Sequence, residues 1–102
     1  MKKSFLEFAK SGFVLLDGGF GTELQKAGPP GGVAPETLNT TAPEKVLAVH
    51  RAYAAAGADV ISSNTFGANR RKHPAPGEAA ELTAAGVRLA REAAGEQGYV
   101  AL

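Results

Sequence analysis

Two apolar runs that break off at polar, glycine-bearing turns constrain this chain more than any other feature. Phe13-Val14-Leu15-Leu16 runs into Asp17-Gly18-Gly19-Phe20-Gly21-Thr22, and Val60-Ile61-Ser62-Ser63 runs into Asn64-Thr65-Phe66-Gly67. A continuous apolar run of this length reads as a strand buried on both faces. The residues between the two runs carry a helical pattern. A helical crossover makes the flanking strands parallel, with a right-handed connection. Both turns then fall on one edge of the sheet, the edge where parallel α/β folds hold their ligands.

The remaining segments extend the alternation. Ser4 and Glu7 have the spacing of a capping box, so Phe5, Leu6, Phe8 and Ala9 read as a short helix that ends at Gly12. Thr22–Ala27 reads as a helical turn stopped by Gly28, and the glycine- and proline-rich stretch Gly28–Pro35 as a mobile loop. Thr41 is expected to cap the next helix, with Pro43 in its first turn, Glu44 three residues on, and Gly57 at its end. Val46, Val49, His50 and Tyr53 mark that helix's buried face. Asn64–Pro76 reads as a polar loop and Glu78–Ala94 as a second long helix stopped by Gly95. Leu82, Gly86, Leu89, Ala90 and Ala93 lie on one face of that helix. Tyr99–Leu102 begins a third strand. The fold class is α/β, a parallel β-α-β-α-β segment.

Composition removes several function classes. The chain has 102 residues, 44% of them apolar, which is incompatible with a disordered segment. A net charge of +1 gives no electrostatic case for nucleic acid or an anionic membrane as partner. The cluster Arg70-Arg71-Lys72-His73 reads as a solvated loop. The chain has no cysteine, so it can form neither a disulfide nor a thiolate metal site of its own. No apolar run is long enough to span a membrane. Glu7 and Lys10 interrupt the basic-then-apolar start, which points to a cytoplasmic protein.

The candidate site lies in the two turns. Asp17, at the tip of the first strand, has two readings. Its carboxylate either accepts hydrogen bonds from a ligand ammonium or hydroxyl, or caps its own turn at Gly19 or Phe20. Gly18, Gly19 and Gly21 permit positive φ and close approach of a ligand, but their spacing matches neither a dinucleotide fingerprint nor a phosphate loop. Asn64 and Thr65 offer neutral donors and acceptors, Phe66 an apolar wall, or all three simply form a packed turn. Glu23 reads as exposed or paired at a helix start, His50 as a packed helix residue, and His73 as solvated. Two histidines so placed make no metal site.

At these residues the chain resembles the homocysteine S-methyltransferase family. Leu16–Leu24 is similar to the family opening LDGAxGTEL, and Pro35-Glu36-Thr37-Leu38-Asn39 to its PE-x-x-N segment. Val49–Tyr53 with Ala56–Ile61 is similar to VHRAY…AGADVI, Asn64–Arg70 to the second-strand signature, and Ala84–Ala94 to AVRLAREAA. The resemblance implies a (β/α)8 TIM barrel, of which residues 1–102 would be an incomplete N-terminal part with the first three strands. It implies that zinc, held by cysteines in late strands, binds homocysteine as a thiolate that takes a methyl group from a donor to give methionine. Those cysteines have no counterpart here, so this chain is expected to hold no metal and to be inactive alone. Asp17 matches the aspartate that helps hold the homocysteine amino group, Gly18 and Gly19 the adjacent turn, and Asn64, Thr65, Phe66 and Gly67 the second loop of the same pocket. His50 matches a position outside the pocket. Two other readings stay open: a non-catalytic βα module that binds a small amino acid or anion, and a partial barrel completed by another chain through its open sheet edges.

Overall fold

A computed structural model describes residues 2–26 and 33–102. From Pro43 onward the elements alternate as expected, helix, strand, helix, strand, while the first expected strand is not formed as a strand. Helix α1 is Phe5–Lys10, α2 Gly21–Lys26, α3 Leu38–Thr41, α4 Pro43–Ala55 and α5 Glu78–Ala94; the strands are β1 Val60–Ser62 and β2 Tyr99–Ala101. Most of the loop expected at Gly28–Pro35 lies outside the described residues.

β1 and β2 pair in parallel, Val60 opposite Tyr99 and Ser62 opposite Ala101. The segment before Asp17 joins on the other side of β1, through a single parallel bridge between Leu16 and Val60. Asp59 and Val60 N–H both donate to Leu15 O, at 2.7 and 3.2 Å, and Asp17 N–H donates to Val60 O at 3.1 Å. The three runs are therefore adjacent in chain order. The sheet proper has two strands, however, and the expected burial of Phe13–Leu16 on both faces is not found: Phe13 is 100% exposed and Leu16 64%. Burial on both faces needs a layer on each side, and the described residues supply none over this run.

α4 and α5 cover β1 and β2. Leu24, Leu38, Val46 and Val49 form the core cluster, with Phe20, Tyr53 and Leu89 packed on it. The Ser4 cap is present, its hydroxyl accepting from Glu7 N–H at 3.3 Å. The Thr41 cap is not. A 3₁₀ turn, Pro35–Thr37, leads directly into α3, and Thr41 ends that helix by donating its hydroxyl to Thr37 O at 3.0 Å. Ala42 takes the N-cap position of α4 and caps it with no side chain.

Gly86 is where α5 meets the end of β1. A Cβ there would come within 2.7 Å of Asn39 Nδ2 and 2.8 Å of Thr65 Cγ2. Alanine would gain about 1 kcal/mol of helix propensity, but overpacking a tight contact costs roughly 1–3 kcal/mol. Gly86→Ala is therefore expected to lower the urea midpoint; a rise would show that the two neighbours yield without cost.

Candidate functional site

The carboxyl end of β1 and the turn at Asp17 border a cleft of about 240 Å³. Asp17, Gly18, Asn64, Thr65, Phe66 and Gly67 all line it, as do Phe20, Ser62 and Glu36. The structure thus brings Asp17 and Thr65 to one opening. Gly19 is held just behind it, its carbonyl accepting from Tyr53 Oη at 2.6 Å. A second cleft, of about 350 Å³, lies at the other end of the sheet among Lys2, Phe5, Arg91 and Tyr99. It is larger, but the convergent polar groups and the strand ends that define α/β ligand sites belong to the first.

Asp17 caps neither Gly19 nor Phe20. Its Oδ2 accepts from Ser62 N–H at 2.9 Å and its Oδ1 from Ser62 Oγ at 3.0 Å. The carboxylate thereby ties the first turn to the end of β1, and each oxygen keeps lone-pair capacity for a ligand donor. Gly18, Gly19 and Gly21 do not use the positive φ open to them; the positive-φ glycines described are Gly57, Gly77 and Gly95. What Gly18 provides is room: a Cβ there would sit 2.9 Å from Tyr53 Oη.

Asn64 serves the frame more than the opening. Its Nδ2 donates to Pro35 O at 2.8 Å and to Asn39 Oδ1 at 3.0 Å. Asn39 is buried, and its own Nδ2 donates to Asn64 O at 2.8 Å and Leu82 O at 3.1 Å. Thr65 Oγ1 lies 2.8 Å from Ser63 Oγ. Phe66 is fully exposed at the rim of the cleft. Glu23 pairs with Lys26 at 3.1 Å on the surface, a contact worth little.

His50 is a packed helix residue, as expected. It is fully buried against Phe20, ring centroids 4.9 Å apart, and neither ring nitrogen has a partner among the described residues. Burial lowers its pKa, partly opposed by the charge on Asp17.

His73 is not solvated, which corrects the sequence expectation. It is 8% exposed, with Nε2 2.7 Å from Glu36 Oε2 and Nδ1 2.8 Å from Glu78 Oε1. Lys72 Nζ adds an ion pair to the same Glu36 oxygen at 3.2 Å. Burial raises the Glu36 carboxyl, but bonds to His73, its own backbone N–H and Lys72 outweigh it and hold the group below the usual carboxylate value. Sequence reasoning missed this cluster because His73 lies in a proline-containing loop, where solvent exposure is the usual outcome, and its partner Glu36 is 37 residues away. The available signal was Glu36, buried within a motif already noted for its resemblance.

A parallel βα segment with a polar cleft at the carboxyl ends of its strands defines an α/β small-molecule site. The chain belongs to the homocysteine S-methyltransferase family, whose profile matches residues 14–102. It is 36% identical over 93 residues to "Methionine synthase" of Mycobacterium tuberculosis, covering 80% of this chain and 8% of that protein. It is 43% identical over 61 residues to "Methionine synthase" of Mycobacterium leprae, covering 52% of this chain and 5% of that protein. The chain therefore spans less than a tenth of the length of either relative.

The residues present do not fit a zinc centre of the family kind. The chain has no cysteine. Both ring nitrogens of His73 are engaged by carboxylates, and among the described residues no group of three or more potential ligands is placed to hold a metal.

Proposed function

We propose that this chain forms the amino-acid-binding part of a homocysteine S-methyltransferase, built as the first three strands of a (β/α)8 barrel. The observation that carries this is the common cleft of Asp17, Gly18, Thr65 and Gly67, at the strand ends of a chain that belongs to the family. Homocysteine would place its ammonium on Asp17, whose oxygens are held in place by Ser62. The volume, below the ~300 Å³ at which drug-sized sites begin, suits a small amino acid.

In a complete enzyme of the family, zinc held by residues this chain does not contain would supply the thiolate form of homocysteine, the form that can accept a methyl group from a donor. Thiolate formation is what a metal supplies to a thiol with a pKa near ~8.5. This chain offers no ligands for that step, and we propose that it is inactive alone. Its own contribution is to bind and orient the amino-acid end of the substrate. A cytoplasmic location is part of the same proposal. No helix among the described residues is long and apolar enough to cross a membrane. The test is a homocysteine titration of the 102-residue chain followed through backbone amide signals. Saturable shifts at Gly18, Thr65 and Gly67 support the reading, and their absence at millimolar homocysteine rejects it.

Self-association is a second reading with its own observation. Phe13, Leu16 and Phe66 are exposed on or beside the sheet, and unpaired strand edges recruit further strands. Sedimentation velocity is expected to show species larger than monomer, growing with concentration. A single monomer boundary across the range would count against it.

A further inference from the structure

We infer that His73 is a positioning residue of the cleft, its ring bridging Glu36 and Glu78 so that the loop carrying Gly67 and Lys72 is fixed against the 3₁₀ turn Pro35–Thr37. The inference rests on the reading of that cleft as the amino-acid site. An ionised carboxylate only accepts hydrogen bonds, and a neutral imidazole has one donor. A ring with a carboxylate oxygen on each nitrogen, at 2.7 and 2.8 Å, satisfies both contacts only as the two-donor imidazolium.

Three separate pieces of chain meet at this ring. Glu36 comes from the 3₁₀ turn, Glu78 from the first turn of α5, and His73 from the loop between β1 and α5. These two carboxylates are the charged groups that meet the ring, and Lys72 reaches the Glu36 oxygen that His73 also uses. The loop is already tightly wound: His73 N–H donates to Asn69 O at 2.9 Å, and Asn69 Oδ1 accepts from Arg71 and Lys72 N–H at 3.1 Å each. The link to the cleft is steric. A Cβ on Gly67 would come within 2.5–2.7 Å of the Glu36 carboxylate. The carboxylate that His73 holds is therefore the wall on which Gly67 rests.

The bond to Glu36 raises the His73 pKa; burial opposes this and Glu78 reinforces it. A group bound more tightly to its proton in the folded state stabilises it below the ordinary value of 6.5, and that stabilisation is lost as pH rises through the raised value. The clasp is thus closed below 6.5 and opens as pH rises through the raised value, when one of the two bonds loses its proton. At the acid end Glu36 acts in the opposite sense, its contribution fading as pH falls through its lowered value.

The test uses the 102-residue chain with ¹⁵N-labelled histidine, the two rings being told apart by H73Q. Both His73 nitrogens are expected to carry protons below 6.5. The ring is expected to titrate above 6.5, and closer to that value in E78Q, a conservative change at a half-exposed side chain. The Gly67 and Lys72 amide signals should move with the same titration, and homocysteine should bind H73Q roughly tenfold more weakly. A His73 that titrates at the ordinary value in both wild type and E78Q, or a Gly67 signal indifferent to its titration, overturns the inference. If the titration moves Gly67 while homocysteine shifts nothing, the positioning role stands and the homocysteine reading falls.

Discussion

Replacing Asn39 with alanine is expected to lower the stability of the chain by about 3 kcal/mol. The side chain makes three buried hydrogen bonds that no neighbour can replace: two donated to the carbonyls of Asn64 and Leu82, one accepted from Asn64. The substitution leaves Asn64 O and one Asn64 Nδ2 hydrogen without a mate and out of water, while the Nδ2 bond to Pro35 O remains; each buried orphan costs roughly 1–3 kcal/mol. Against a total of about 5–15 kcal/mol for a domain of this size, that loss is large. It would appear as a drop of about 2 M in the urea midpoint. Thr40→Ala, at an exposed neighbour, is the control and should shift stability by less than about 0.5 kcal/mol. Equal shifts for the two variants would mean that Asn39 does not hold α3, β1 and α5 together.

Asp17→Asn is expected to weaken homocysteine binding about 30-fold, the size of a lost charge-assisted bond of ~2 kcal/mol. The amide keeps the shape and keeps an oxygen for Ser62, so the turn should survive while the attraction for an ammonium disappears. The des-amino analogue of homocysteine provides the internal check. It should bind wild type weakly and be indifferent to the substitution. If the variant weakens both ligands equally, Asp17 is a strut for Ser62 and not the ammonium partner.

The parts of this fold legible in the sequence were those set by one-dimensional signals. Periodicity placed α4 and α5, with Val46, Val49 and His50 inward, and the Ser4–Glu7 spacing placed the α1 cap. The abrupt ends of the apolar runs brought Asp17 and Thr65 to one opening. What was not legible depended on partners distant in the chain. Whether Phe13–Leu16 is covered cannot be read from its own composition, because coverage is a property of neighbouring layers. The Thr41 cap failed because its hydroxyl found Thr37 O in a preceding turn, a local competition between two helix starts. The Glu36–His73 contact joins residues 37 apart in sequence, and no spacing rule signals it.

The cluster at the far end of the sheet gives the molecule a polarity. Phe5 and Phe8 pack on Tyr99, ring centroids 5.6 and 5.2 Å away, while Tyr99 Oη donates to Lys3 O and Lys2 Nζ to Gly98 O. All of these contacts sit where β2 begins, opposite the edge that carries Asp17. Residues 2–8 are thus a floor under the sheet, built from chain that precedes the family-matched region. Among the described residues, floor and mouth share no lining side chain.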